Sequence, residues 1–548
     1  MGQYCVIAVG QFDAIANSDV AVLIGMNGSG KSQVMELIAE VFSYLERKQR
    51  PDFRVREPLG YDFRVTYQLS SVLFQGSRRY AIDSRGGIQV EVYESPTNPG
   101  VAQLNLPNAW LPVQGIDGLD DVVLPRLVGY ASGLSENLQR PFMRNALQFH
   151  DVIRVRSRLK EELAQPHVDE RRTIEINRRF LTRHRGVFGA EGEADGPELF
   201  RLRESDTVAP KSLFLDYDCS ALLIALLGML PAGDRNAIWG EIPFRHPSRA
   251  IIRFDLRSQS TAGDNARDIQ RLIELAGPDK LKPLSAKASE EQFELVQLEY
   301  LAGDIELDFT DPQVLGRMHD NARSPSQWFA ALYKLQLLGV SAWSGEVKKS
   351  LRKDGFQGHV KKPLKGKLPL SVQELWMSDG QREVALDDLS DGELQLLLTL
   401  GAVRLFGDDE TLFLFDEPET HLNPSWRTRF HLDFEQANRA HGSAQALVSS
   451  HSPFLVSSLP KHAIYHFKKT DQMTSMETPD SETFGASFEL LIKRHFDLKA
   501  AISETAIQDI RGKLADNKLS TEDKLAWLEE SVGDSFERSY LINKLRGE

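Results

Sequence analysis

Short unbroken apolar runs punctuate this chain. VAVLIG (20–25), LFLF (412–415) and the start of AQALVSSHSP (444–453) predict strands buried on both faces, and YCVIAVG (4–10) predicts one more. Residues 52–94 read differently. DFRVREPL, YDFRVTYQL, RRYAIDS and GIQVEVYES alternate or are β-branched between Gly and Ser, which predicts an antiparallel sheet. Pro, Asn and Gly make 95–120 a loop, and VVLPRLVGYASG (122–133) predicts a strand running into a polar loop that carries Gln139. Between 32 and 45 apolar residues fall at 34, 38, 41 and 45, a helical stripe. Segments 146–164, 170–183, 213–230, 264–276 and 325–341 also predict helices, whereas AIIRFDLR (250–257) and LEYLAGDIELDF (298–309) predict strands. Residues 393–406 are largely apolar and predict a buried helix. Charged amphipathic stretches near 484–496, 498–516, 520–530 and 535–546 predict the last helices.

Three apolar runs end in candidate chemistry. After VAVLIG, Gly25-Met-Asn-Gly-Ser-Gly-Lys31-Ser32 satisfies G-x-x-x-x-G-K-[ST]. Backbone N–H groups of Asn27, Gly28, Ser29 and Gly30 suit a phosphate cradle. Lys31 would reach the terminal phosphates, the Ser32 hydroxyl would ligate magnesium, and the following helix would put its positive end under the phosphates. After LFLF come Asp416 and Glu417, and Pro418 stops the strand. Two carboxylates at the end of a buried strand are costly unless a cation meets them, and phosphate-bound magnesium is a natural one. A polar strand end without chemistry has the same short pattern. After ALVSS comes His451, and in an open parallel sheet such strand ends converge on a ligand crevice.

Two further positions stay open. Ser390 and Glu393 in Leu389-Ser-Asp-Gly-Glu393 make a capping box. The same serine hydroxyl, with Gly392 and the helix start, also suits a second anion site. Gln139 could meet magnesium or an attacking water, or could be an exposed loop glutamine.

Composition narrows the class. The 548 residues suggest three or four domain-sized units, and 41% hydrophobic with 26% charged residues is ordinary for a soluble globular chain. Two cysteines, Cys5 and Cys219, make no disulfide framework and fit a reducing cytosol. No signal peptide is expected, and Ala221–Leu230 is too short an apolar run to span a bilayer, so a cytoplasmic place off the membrane is expected. A net charge of −13 argues against wholesale nucleic-acid coating. Locally, Arg140–Arg185 holds twelve Lys/Arg against six Asp/Glu, and Lys348–Lys367 is a second basic run. Each could contact DNA or be a solvated face.

In this order the motifs resemble those of ABC-type ATPases, in the branch with SMC, RecF and overcoming-lysogenisation-defect proteins. GMNGSGKS resembles Walker A, LSDGE the signature motif, LFLFDEPETHLNP Walker B with its D-loop, and His451 in SSHSP the H-switch. YASGLSENLQRPF, FLDYDCSALL, ETFGAS and GDSFERSYLI further resemble AAA-family ATPases encoded beside bacterial restriction and phage-defence systems, with Septu-type ATPases more distant. The resemblance implies an α/β fold: an ABC-type P-loop ATPase head with an antiparallel β-subdomain, a large mixed α/β insertion and C-terminal helices. The expected units are 1–140 and 346–470 as the two lobes of the head, 141–345 as a mostly helical insertion and 471–548 as a helical end.

The resemblance also implies roles. ATP and Mg2+ would be the ligands. Lys31 and Ser32 would bind phosphate and magnesium, Asp416 would hold magnesium through water, Glu417 would polarise the attacking water, and His451 would sense the γ-phosphate. Ser390 and Gly392 would contact the nucleotide of a second subunit in a head-to-tail dimer, with Asn423 in the D-loop and Gln139 as the Q-loop metal contact. Asn423 stands where transporters have Asp, and Asp391 and Glu393 where they have Gly and Gln, which counts against a transporter motor. No Toprim-like D-x-D, H-N-H or PD-(D/E)xK pattern stands out, so a nuclease or other effector would be a separate chain. The expected function is ATP hydrolysis that regulates such an effector in anti-phage or restriction defence. The alternatives are a slow ATPase scaffold sequestering a toxic effector, and a RecF/SMC-like DNA-repair clamp.

Overall fold

Val20–Gly25 is buried along its whole length and forms an interior strand, β1. The computed structural model describes residues 20–49, 59–71, 76–94, 111–115, 118–133, 136–163, 165–184, 201–202, 210–240, 242–257, 266–321, 323–353, 365–407, 410–438, 444–469, 474–496 and 502–547. The strand expected at 4–10, Cys5, most of DFRVREPL and most of the 95–120 loop lie outside them.

A glycine-rich loop joins β1 to helix α1 (Lys31–Lys48). Next come β2 (Arg64–Ser71), β3 (Gly76–Asp83), β4 (Gln89–Glu94) and β5 (Leu111–Pro112), paired antiparallel in that order. Tyr67 and Tyr80 face each other across β2 and β3 with rings stacked at 5.2 Å, and Phe42 of α1 meets Tyr67 edge-on at 5.4 Å. This is the antiparallel β-subdomain expected from the alternating pattern.

The chain then enters β6 (Arg126–Ala131), helix α2 (Glu136–Leu163), the short strand β7 (Leu213–Phe214) and helix α3 (Tyr217–Leu226). A second antiparallel sheet is built from β8 (His246–Asp255), β9 (Leu281–Pro283), β10 (Ala302–Asp308), β11 (Leu370–Ser378) and β12 (Glu383–Ala385), in the order β12-β11-β8-β10-β9. It joins strands from both sides of residue 345, the boundary expected between the insertion and the later lobe. Helix α4 (Asp391–Phe406) leads to β13 (Thr411–Asp416), helix α5 (Pro424–Asn438), β14 (Gln445–Ser449), β15 (Ile464–Lys469) and β16 (Thr474–Glu477).

Among the described residues the main sheet has the order β16-β15-β1-β14-β13-β6-β7. All neighbours are parallel except the antiparallel edge strand β16. Leu23 pairs with Ser449, Ser449 with Asp416, and Asp416 with Ala131, so the carboxyl ends of four strands lie level. A mixed α/β fold with an open parallel sheet puts its crevice there. One apolar core runs from this sheet through α3, buried around its circumference, to the second sheet, and another joins α1 to the β2–β5 sheet.

The structure differs from the expected elements at several points. Residues 136–139, expected in a polar loop, form the first turn of α2. Pro141 masks the helix in the sequence, but Leu138 and Phe142, four apart, are both buried in the core under the β2–β5 sheet. Leu213 and Phe214, expected to be helical, pair with Val128 and Gly129, and the cap at Asp216 delays the helix. Strand β5 lies in the stretch expected to be a loop, and strands β9, β11, β12, β15 and β16 were not anticipated by the pattern. Only part of the basic 140–185 stretch is used inside the fold, and most of its described cations, Arg172 among them, are exposed. Arg144 is 3% exposed and pairs with Glu40, Arg156 is buried and donates to the Leu202 carbonyl at 3.0 Å, and Arg172 pairs with Glu162 and Glu175. In the second basic run Lys348 belongs to the helix Gly345–Leu351, while 354–364 lie outside the described residues. No helix among the described residues is long and apolar enough to cross a membrane.

Gly129 is the tightest point of β6. A Cβ there would stand 2.8 Å from the Phe142 ring and 2.9 Å from the Phe214 ring. Gly129→Ala should therefore destabilise by about 1–3 kcal/mol through overpacking. Calorimetric melting should show a lower midpoint, and an unchanged midpoint would contradict the packing described.

Candidate active site

Gly25 can only be glycine. Its φ is +142°, and a Cβ would lie 2.4 Å from the Phe467 carbonyl oxygen of β15. Gly28 (φ +74°) and Gly30 (φ +104°) also adopt left-handed backbone, and Gly30 caps α1. The loop therefore turns tightly at the level strand ends and delivers the N-terminus of α1 to the crevice. Ser29 donates its N–H to the Met26 carbonyl at 3.1 Å, and its hydroxyl is buried without a partner among the described residues. Asn27 and Gly28 are exposed.

Lys31 is 5% exposed. Its ammonium donates to the Gly25 carbonyl at 2.9 Å and the Met26 carbonyl at 3.2 Å, and lies 3.0 Å from Nε2 of His451. Three protons thus meet three neutral acceptors. Burial lowers the Lys31 pKa, and the charges of Glu417 and Asp416 oppose that. Ser32 donates to Oδ1 of Asp416 at 2.9 Å, and the Ser449 hydroxyl donates to the same oxygen.

Glu417 follows directly, with φ +52°. This left-handed turn is strained for a glutamate. Hydrogen bonds hold it: its N–H reaches the Ser449 carbonyl (3.1 Å) and hydroxyl (3.2 Å), and its carbonyl accepts from the Thr420 N–H (3.2 Å) and hydroxyl (3.0 Å). Glu417 Oε1 lies 3.3 Å from Nε2 of His451. Burial, helped by Lys31, holds the His451 pKa below its usual value, against Glu417 and Asp416. A neutral ring can accept from Lys31 at Nε2 only with its proton on Nδ1.

Ser390 forms the capping box. Its hydroxyl donates to Glu393 Oε2 at 2.7 Å, and the Glu393 N–H reaches the Ser390 hydroxyl at 3.3 Å. Gly392 packs so closely that a Cβ would be 2.8 Å from the His421 carbonyl oxygen. Among the described residues no hydrogen bond joins Ser390 or Gly392 to Lys31 or Ser32 of the same chain. Asn423 accepts from the Trp426 N–H at 2.9 Å at the start of α5. Gln139 sits in α2, and no hydrogen bond links it to Asp416 or Ser32 among the described residues.

Sequence reasoning missed four contributors. Ser449 braces both Asp416 and Glu417. Gln395 of α4 accepts from the His421 N–H at 3.2 Å, and its amide lies 3.5 Å from the Glu417 carbonyl. Arg427 of α5 donates to the Leu422 (2.7 Å) and Thr420 (2.8 Å) carbonyls. Glu419 is 4% exposed and accepts the Ser450 hydroxyl at Oε1. Burial pushes its carboxyl up to about 7. Only the serines of SSHSP and the second acid of DEPE were visible as signals, and neither pattern tells what its side chain touches.

The site is a positively ended, glycine-built loop facing two carboxylates and an imidazole. Ser32 and Asp416 offer hard oxygen donors of the kind magnesium takes, with further positions left to water or phosphate. Among the described residues no group of three or more His, Cys, Asp or Glu could hold a metal alone.

A family model described as "AAA domain, putative AbiEii toxin, Type IV TA system" matches residues 289–457. Over these residues the chain is therefore similar to an AAA-type ATPase domain. The match runs from the second sheet through β14 and excludes the glycine-rich loop. Protein ea59 of Escherichia phage lambda is 26% identical over 134 residues, 24% of this chain and 25% of that protein, so the match spans about a quarter of the relative. A crystal structure of the Smc head domain with a coiled coil and joint derived from Pyrococcus yayanosii aligns over 88% of this chain and 95% of that one, at 13% identity and a TM-score of 0.25. That likeness carries no weight for fold or function.

The buried Glu419 gives the fold a pH dependence. The folded chain keeps this proton up to about pH 7, whereas the unfolded chain releases it near 4.5. Stability should fall as pH rises through that window, because the native state then binds more protons than the unfolded one. Glu419→Gln cannot ionise, so relative to wild type it should gain up to roughly 3 kcal/mol by about pH 8. Melting both proteins at about pH 5 and about pH 8 checks this. A midpoint difference that does not change with pH would contradict it.

Proposed function

We propose that this chain binds ATP with Mg2+ in the crevice between the glycine-rich loop and the ends of β13 and β14, and hydrolyses it. The meeting of Lys31, Ser32, Asp416, Glu417 and His451, from both ends of the sequence, carries this reading. The amides of Asn27, Gly28, Ser29 and Gly30 would cradle phosphate oxygens, and a phosphate oxygen would replace one neutral acceptor on Lys31. Ser32 and Asp416 would hold magnesium, which when bound offsets charge on the phosphates. Glu417 would orient and polarise the attacking water, and His451, once parted from Lys31, would face the γ-phosphate.

The exposed Ser390, with Gly392 and Asn423, would meet the nucleotide of a second copy in a head-to-tail dimer. The loop of residues 417–423 packs on the start of α4, so closure at 390–392 would be felt at Glu417. Residues 1–140 and 346–470 would form the head and 141–345 the insertion, with the second sheet tying the insertion to the head. The dimer would regulate a separate effector or nuclease chain in anti-phage or restriction defence. The toxin system in the matched family's description favours one variant of this: a slow ATPase that holds a toxic effector while nucleotide is bound.

Turnover and binding separate these readings. Lys31→Ala should lose ATP binding. Glu417→Gln should bind ATP about as tightly as wild type but turn it over at least about a hundredfold more slowly. Loss of phosphate release in Glu417→Gln, with fluorescent-ATP affinity retained, is the expected result. Undiminished turnover in either variant would defeat the assignment. Effector capture retained by Glu417→Gln but lost by Lys31→Ala would favour the scaffold.

A further inference from the structure

The turn that carries His451 is held by a set of buried hydrogen bonds. The Ser450 N–H donates to the Leu23 carbonyl of β1 at 2.9 Å. The Ser450 hydroxyl donates to Oε1 of Glu419 and accepts the Ser452 N–H at 2.9 Å. All of Ser450, Ser452 and Glu419 are buried. Ser450 and Ser452 flank His451, so this turn sets where the imidazole starts. Two rungs therefore tie the loop after β13 to the turn after β14: Ser449 with Glu417, and Ser450 with Glu419.

Glu419 is a poor choice for stability alone. Its Oε2 is buried without a partner among the described residues, and an orphaned buried oxygen costs free energy. The charged groups acting on it are Glu417 and Arg427, and among the described residues neither hydrogen-bonds its side chain. What it supplies is direction, an acceptor that fixes the hydroxyl at 450.

We propose that Glu419 is a positioning residue that, through Ser450, holds the His451 ring between Lys31 and Glu417. Among the described residues no hydrogen bond joins its side chain to Lys31, Ser32, Asp416 or Glu417. Its effect on turnover rests on the ATPase reading above, but its effect on the ring does not.

Imidazole nitrogen NMR of full-length protein with labelled histidine, at fixed pH and without nucleotide, tests the geometry. The chain has 13 histidines, and the signal absent from His451→Gln identifies the one of interest. Glu419→Ala and Ser450→Ala should each shift the His451 Nε2 signal and leave the others in place. Glu419→Gln, whose amide oxygen can still accept from Ser450, should restore the wild-type position. In turnover, Glu419→Ala and Ser450→Ala should lower kcat about tenfold, the rate equivalent of one hydrogen bond, with nucleotide Kd unchanged. Adding Glu419→Ala to His451→Ala should cost nothing more. An unmoved His451 signal in folded Glu419→Ala or Ser450→Ala would overturn the proposal, as would additive losses in the double variant. If Glu419→Ala does not fold, Ser450→Ala decides. A wild-type protein without turnover would sink the ATPase reading, and the NMR result would still decide this one.

Discussion

Asp416 ends a buried strand and is itself only 8% exposed, and the site depends on how its charge is met. Two hydroxyls point at a single oxygen, Oδ1: Ser32 from the first turn of α1 and Ser449 from the end of β14. Lys31 adds a cation close enough for its charge to be felt. An isolated carboxylate in such a place would be prohibitively costly, so loop, helix and two strands must arrive together. The level register of β1, β14 and β13 is what brings them together.

The same constraint shapes the backbone. Gly25 must pass under the Phe467 carbonyl, which excludes any side chain. Glu417 must turn left-handed to leave the line of β13, and Ser449 and Thr420 hold it there. Gln395 and Arg427 then grip the carbonyls and amides of the next few residues, tying α4 and α5 to the acidic pair. A shift at the exposed start of α4 therefore has a rigid route to Glu417. Under the proposed function, this route would couple contact at Ser390 to the acidic pair.

The main sheet could be read from sequence where apolar runs were long and unbroken, as at 20–25 and 412–415. The glycine-rich loop and the acidic pair were legible because each is contiguous and its residue types have few other uses. Contacts between distant segments were not. Nothing in SSHSP says that Ser449 braces Asp416 or that Ser450 meets Glu419. Pro141 hid the first turn of α2 and so misplaced Gln139. Counting charges over 140–185 could not distinguish Arg144 and Arg156, which are buried, from exposed arginines. Strand β11 pairs with β8 through two irregularities, which blur the alternation that would have announced it.

The proposed function depends on whether nucleotide joins two copies through this crevice. The most direct measurement is the light-scattering mass of Glu417→Gln with and without Mg-ATP. The predicted result is a monomer without ATP and a dimer with it, abolished by adding Lys31→Ala. A mass that stays monomeric while ATP binding is confirmed would contradict the head-to-tail arrangement, and so would an oligomer that forms equally well without nucleotide.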